Sequence, residues 1–289
     1  MTALRDTARA KFNLTLEVLG RRADGFHEVR SLVAFAELGD HLTLEPGQDL
    51  ALDVEGPFAS ALAGDNLITA AAEATKAEVP GIALGRFRLV KALPVAAGLG
   101  GGSADAAAAL RLLARANPGG LSRSALAGIA ARLGSDVTAC LKSLPALMTG
   151  RGEKVTDIRG MPACPVLLVN PGIQLPTAKV YGALDAAPLS AGTDAFAAPD
   201  FGGSFERLIF YAASRGNTLE AAALRLEPVI GEVVAALKRL DGARLVRLAG
   251  SGPTCFALFA TEDAAKSAAT SFLAVHPAWW VAATTLSGS

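Results

Sequence analysis

A chain of 289 residues, 51% hydrophobic and 19% charged, has apolar material for one large domain or two ordinary ones and excludes a disordered polymer. Lys plus Arg and Asp plus Glu both number 27, so no charge excess is on hand to hold nucleic acid or an anionic membrane. Cys140, Cys164 and Cys255 show no CxxC spacing and read as small core residues in a reducing compartment; three scattered histidines form no metal-ligand cluster. Arg5, Asp6, Arg9 and Lys11 precede any apolar run, which argues against a signal peptide, and no uncharged apolar stretch is long enough to span a bilayer. The expected setting is the cytoplasm.

Residues 11–18 alternate, with Phe12, Leu14, Leu16 and Val18 on one face and Lys11, Asn13, Thr15 and Glu17 on the other, which predicts a half-buried strand. Lys11 and Asn13 then point the same way, although an exposed strand face supplies such a pair by default. Asp24-Gly25 predicts a turn, after which Phe26 and His27 open the next strand. Phe26 reads as a core residue and His27 as a surface one, or else as a stacking face and a ring nitrogen for a planar ligand. Further strands are predicted at 41–44, 50–54 and 86–90, with a helix capped by Asp65 through about Lys76, burying Leu67, Ile68, Ala71 and Ala74.

Next comes Pro94-Val95-Ala96-Ala97-Gly98-Leu99-Gly100-Gly101-Gly102-Ser103-Ala104-Asp105, followed by alanines. Four glycines in five positions let backbone N–H groups turn inward on an anion, and Ser103 is a good N-cap for a helix whose positive end would face it. The pattern is a phosphate cradle at a helix N-terminus. It is not a P-loop, since no lysine precedes Ser103, and not a dinucleotide fingerprint, since Gly119-Gly120-Leu121-Ser122 stands where an acidic residue is required.

Helices are predicted at 104–116 and 122–133, the second closed by Gly134. A short segment at 135–141 follows, with Asp136 in its first turn either as a supporting cap or as a functional carboxylate. Residues 159–165 read as a linker to a second unit. That unit has strands at 166–169, 244–248, 255–260 and 279–284, and helices at 176–184 (carrying Tyr181), 205–213, 218–226, 228–240 and 262–272. The small-residue stretch 188–203 reads as loop. Gly250-Ser251-Gly252-Pro253-Thr254 is a second glycine turn, placed where two strands approach and able to face a ligand. The class is α+β.

With these segments in view, the chain resembles the GHMP kinases, the superfamily of galactokinase, homoserine kinase, mevalonate kinase and phosphomevalonate kinase. Its three motif regions match residues 11–16, 94–108 and 248–256. The resemblance is strongest to the member that acts on a cytidine diphosphate sugar alcohol in non-mevalonate isoprenoid biosynthesis. It rests on Ala10-Lys11-Phe12-Asn13-Leu14, Arg21-Arg22-Ala23-Asp24-Gly25-Phe26-His27, Gly98-Leu99-Gly100-Gly101-Gly102-Ser103, Gly134-Ser135-Asp136-Val137 and Pro171-Gly172-Ile173-Gln174-Leu175-Pro176-Thr177. The family implies two domains, expected at 1–160 and 161–289: one like the second domain of ribosomal protein S5, the other ferredoxin-like.

The resemblance further implies an ATP-dependent kinase using Mg²⁺ through ligands it does not identify, acting as a monomer or homodimer on the substrate's 2-hydroxyl. Asp136 matches the catalytic aspartate and Lys11 the catalytic lysine. Pro94, Val95, Ala96, Ala97, Gly98, Leu99, Gly100, Gly101, Gly102, Ser103 and Ala104 match the ATP phosphate loop. Asn13 and His27 match polar contacts to cytidine, and Phe26 and Tyr181 the aromatics that sandwich cytosine. Two positions depart from the family: Phe26 where many members have Tyr, and Thr138 where Pro is usual, a change expected to loosen the segment carrying Asp136. A homoserine- or mevalonate-type kinase, and a non-catalytic binding protein on the same fold, are the competing readings.

Overall fold

The alternation of apolar residues that opens the chain continues further upstream than the motif suggests. The computed structural model describes residues 2–62, 64–190 and 196–288. In chain order its elements are β1 Leu4–Asn13, β2 Glu17–Arg21, β3 His27–Glu45, β4 Ala51–Glu55, α1 Leu67–Glu78, β5 Arg86–Val90, α2 Gly101–Ala116, α3 Arg123–Leu133 and α4 Ser135–Lys142. There follow β6 Ala146–Gly150, β7 Lys154–Asp157, β8 Cys164–Asn170, α5 Thr177–Leu184, α6 Phe205–Arg215, α7 Glu220–Leu226, α8 Val229–Leu237, β9 Leu245–Leu248, β10 Cys255–Leu258, α9 Glu262–Val275 and β11 Trp280–Leu286. Two compact units share the chain in alternating segments: Met1–Lys11, Gly39–Val95 and Gly100–Ser143 make one, and Phe12–Leu38, Ala96–Leu99 and Leu144–Ser289 the other.

In the first unit, β5 lies between β4, which it pairs in parallel, and the C-terminal part of β3, which it pairs antiparallel with Leu42 opposite Leu89 and Leu44 opposite Phe87. Those four side chains are fully buried, each contributing about 1.5–3 kcal/mol by its removal from water. Helix α2 packs between α1 and α4. Its buried Ala104 and Ala106 to Ala109 allow that close approach, while Leu112 and Leu113 fill the space toward its end. The second unit is built on the antiparallel order β9-β10-β8-β11, with β11 reaching β3 at Leu286 opposite Ala36. Its core joins Leu167 and Val169 of β8 to Ile230, Val233 and Phe272 from the helices and to Leu219 just before α7.

Several expectations need correcting. The first strand starts at Leu4 and stops at Asn13, and its polar face is not exposed: Lys11, Asn13 and Thr15 are all buried. The strand expected at 41–44 is the end of one 19-residue strand, β3. The β6–β7 hairpin lies in a stretch without a strong alternating signal and was not anticipated. Within the expected loop 188–203, Pro188 and Asp200 make isolated bridges to Arg21 and Arg159; residues 191–195 lie outside the described ones.

Two helix caps also move. Asn66, not Asp65, caps α1, accepting the Ile68 N–H at 2.8 Å. Helix α2 starts at Gly101 rather than Ala104, its N-cap is Gly100 in the left-handed region, and Ser103 lies inside its first turn. Without a Cβ at Gly100 the chain can turn into the helix three residues early. Asn66→Ala is expected to cost about 1 kcal/mol of stability and Asp65→Ala a few tenths at most, as read from urea midpoints; equal losses would return the cap to Asp65.

Candidate active site

Glycine conformation and close approach together shape the loop. Residues 94–95 and 100–104 belong to the first unit and 96–99 to the second. Ala96, Gly98 and Gly100 all have positive φ. At Gly98 a Cβ would stand 2.5 Å from the Ala249 carbonyl oxygen and 2.7 Å from that of Gly252, so only glycine fits. This is where the second glycine turn comes in: the Thr254 N–H donates to the Ala97 carbonyl at 3.2 Å. At Gly100, a Cβ would meet the Lys11 side chain at 3.1 Å. No side chain caps the start of α2, which leaves the first N–H groups of an uncapped helix to face an anion.

Lys11 runs beneath Gly100 and donates from Nζ to Asp136 Oδ2 at 2.8 Å. The lysine side chain is 5% exposed and the aspartate 42%, so the pair is anchored on one side and open on the other. Asp136 sits in the first turn of α4, where the helix dipole favours a carboxylate. Thr138 does not break that helix, which forms over eight residues, although the buried Thr138 Oγ1 has no hydrogen-bond partner.

The other candidates belong to the second unit. Asn13 is buried, donating from Nδ2 to Ser31 Oγ at 2.7 Å, and its Oδ1 lies beside Gly250. Phe26 is no core residue: it is 53% exposed, with the Arg151 guanidinium 4.8 Å above its ring. Its backbone is set by Asp24, which accepts the Phe26 N–H at 3.1 Å. His27 is packed at 4.9 Å against Tyr181 of α5, and burial together with the nearby Arg21 lowers its pKa. Its neutral ring offers one donor and one acceptor at neutral pH. The structure therefore pairs His27 with Tyr181 and covers Phe26 with Arg151.

One cluster went unseen in the sequence. The buried Lys91 Nζ lies between Asp40 Oδ2 at 2.5 Å and Asp105 Oδ2 at 2.7 Å, under Gly101 of α2. Asp40 Oδ1 also takes the Ala92 and Leu93 N–H groups, at 2.6 and 2.8 Å. Burial, opposed by Lys91 and reinforced by Asp40, pushes the Asp105 carboxyl up to about 7, and its Oδ1 has no partner. The separations of 51 and 14 residues carry no periodic signal; only folding brings these groups together.

The chain has a glycine loop at an uncapped helix start with a lysine–aspartate pair beside it. Models of the GHMP kinases N terminal domain and the GHMP kinases C terminal domain match residues 66–143 and 195–277, and the chain belongs to the GHMP kinases, which take ATP as co-substrate. Its relatives carry a more particular name. It is 48% identical to 4-diphosphocytidyl-2-C-methyl-D-erythritol kinase of Rhodopseudomonas palustris (strain ATCC BAA-98 / CGA009), over 98% of this chain and 97% of that protein. The enzyme of the same name from Methylobacterium radiotolerans is 49% identical, over 99% of this chain and all of that one. A crystal structure of 4-(cytidine 5'-diphospho)-2C-methyl-D-erythritol kinase aligns with a TM-score of 0.79 at 33% identity, covering 99% of this chain and 100% of that one.

Removing the ammonium from between two buried carboxylates leaves them uncompensated. Lys91→Met should lower stability by about 3–5 kcal/mol, and adding Asp105→Asn should recover part of it, both measured by urea unfolding. A Lys91→Met protein as stable as the parent would remove the cluster from this role.

Proposed function

We propose that this kinase transfers the γ-phosphoryl group of ATP to the 2-hydroxyl of 4-diphosphocytidyl-2-C-methyl-D-erythritol, giving the 2-phosphate and ADP, in the non-mevalonate route to isoprenoids. The observation that carries the mechanism is the 2.8 Å contact between Lys11 and the half-open carboxylate of Asp136, with Lys11 packed under the glycine loop. Asp136 accepts the hydroxyl proton as the new O–P bond forms and the bond to ADP breaks. Lys11 directs the Asp136 carboxylate through their hydrogen bond. The backbone N–H groups of residues 95–104, which run into the start of α2, stabilise charge on the phosphates.

Mg²⁺ completes the reading. Among the described residues no group of three or more His, Cys, Asp or Glu forms a cage, which suits an ion taking most of its ligands from phosphate oxygens and water. Ser103, the one side-chain oxygen in the loop, would hold it on the protein side; when bound, the ion neutralises charge between the β- and γ-phosphates. Asp105, locked against Lys91, is unsuited to that task.

For the acceptor, His27 reads the cytosine edge, Asn13 adds a polar contact, and Tyr181 and Phe26 supply ring faces. A base with the wrong donor pattern leaves a polar group unpaired, which is how cytosine is told from uracil. The proposal extends to family domains at 1–160 and 161–289, a monomer or homodimer, and a cytoplasmic setting. Support for that setting is that all three cysteines are free and buried and that no described helix is long and apolar enough to cross a membrane.

Phosphorus NMR with Mg-ATP and this cytidine substrate should show a new phosphomonoester together with ADP, while parallel homoserine and mevalonate samples stay unchanged. Turnover of either of those instead would discard the acceptor. Asp136→Asn should lower kcat by about 100-fold or more with KM for ATP within about twofold, and near-normal turnover would sink its role as base. Tyr181→Ala should raise KM for the cytidine substrate about three- to tenfold while sparing ATP; an unchanged KM would remove the stacking role.

A further inference from the structure

Lys11 and Asp136 lie on β1 and α4, 125 residues apart in sequence, and something must hold those two elements in register. A single side chain does so from the third turn of α2. Arg111 grips Asp6 of β1 with two arms, Nε to Oδ2 at 2.9 Å and Nη2 to Oδ1 at 3.2 Å, and Nη2 also reaches the Thr7 carbonyl at 3.3 Å. Its remaining arm, Nη1, donates to the Cys140 carbonyl at 2.8 Å and approaches the Leu141 carbonyl and Ser143 Oγ, both at 3.5 Å. Asp6 precedes Lys11 by five residues in β1, and Cys140 follows Asp136 by one turn of α4.

We propose that Arg111 is a positioning residue for phosphoryl transfer, setting the separation of β1 and α4 and thereby the contact of Lys11 with Asp136. The inference rests on the reading of that pair as catalytic. Helix α4 has only eight residues, too few to hold its own geometry in water. A cation at its last carbonyls is favoured by the helix dipole, and the planar guanidinium fork is what lets one side chain serve a carboxylate and a helix end together. Lysine, a single point charge, cannot bridge both. Because α2 begins at the glycine loop, Arg111 also refers both reacting side chains to the element that carries the phosphates. An error of about 1 Å in such an arrangement costs about 100-fold in rate.

The test is steady-state kinetics with Mg-ATP and the cytidine substrate on Arg111→Met, Arg111→Lys, Asp136→Asn and the double variant Arg111→Met/Asp136→Asn, with thermal unfolding alongside. Arg111→Met should lower kcat tenfold or more with both KM values within about twofold, and Arg111→Lys should recover only part. In the Asp136→Asn background, Arg111→Met should cause no further loss, since it acts through that carboxylate. A folded Arg111→Met protein with kcat within threefold of the parent, or an undiminished second loss in the double variant, overturns the inference. Should Arg111→Met fail to fold, Asp6→Asn relaxes only the β1 arm, and an unchanged kcat there overturns it equally. Near-normal turnover by Asp136→Asn overturns the catalytic reading and the inference with it; a crippled Asp136→Asn beside a normal Arg111→Met overturns the inference alone.

Discussion

The ammonium of Lys91, held between Asp40 and Asp105, ties down both ends of the glycine loop. Asp40 takes the backbone N–H groups of Ala92 and Leu93, which lead into the loop, and Asp105 belongs to the first turns of the helix that leaves it. Desolvating three charged groups opposes folding, and the cluster persists because every partner is within hydrogen-bond reach apart from one oxygen of Asp105. That oxygen and the carboxyl raised to about 7 are the residue of the imbalance: two anions share one cation. A flexible run of glycines gains a defined path from this anchor without a side chain of its own.

Between its ends the loop is shaped by contact rather than by charge. Gly98 sits so near the Ala249 and Gly252 carbonyls that no side chain fits, and the Thr254 N–H bonds back to Ala97. Residues 96–99 and the second glycine turn are therefore one feature of the second unit, although about 150 residues of sequence separate them. Farther along, Gly100 admits Lys11 beneath it, so the absence of a Cβ serves lysine placement as much as backbone conformation.

The Lys11–Asp136 pair, proposed as the reacting groups, depends on supports outside itself. Asp136 is presented by a short helix and Lys11 by the buried C-terminal end of β1, and the bonds of Arg111 connect the two. Burial of Lys11 with exposure of Asp136 gives a carboxylate fixed at one oxygen and open to solvent on its other side. Burial and the nearby Arg21 lower the pKa of His27, and its neutral ring suits the proposed reading of a base edge.

Local chemistry made much of this legible in the sequence. Glycines followed by a serine and alanines marked a loop and a helix, alternation marked the strand of Lys11 and Asn13, and Ser122 with Gly134 marked the ends of α3. These features act within a few residues, so composition and spacing determine them. Tertiary structure decided the rest. Burial of both faces of β1, the merging of two expected strands into β3, the exposure of Phe26 under Arg151, and the shift of the α2 cap from Ser103 to Gly100 depend on neighbours that are distant in the chain. So do the Lys91 cluster and the reach of Arg111. A buried charge is stable only beside its partners, and no sequence interval announces which partners folding will supply.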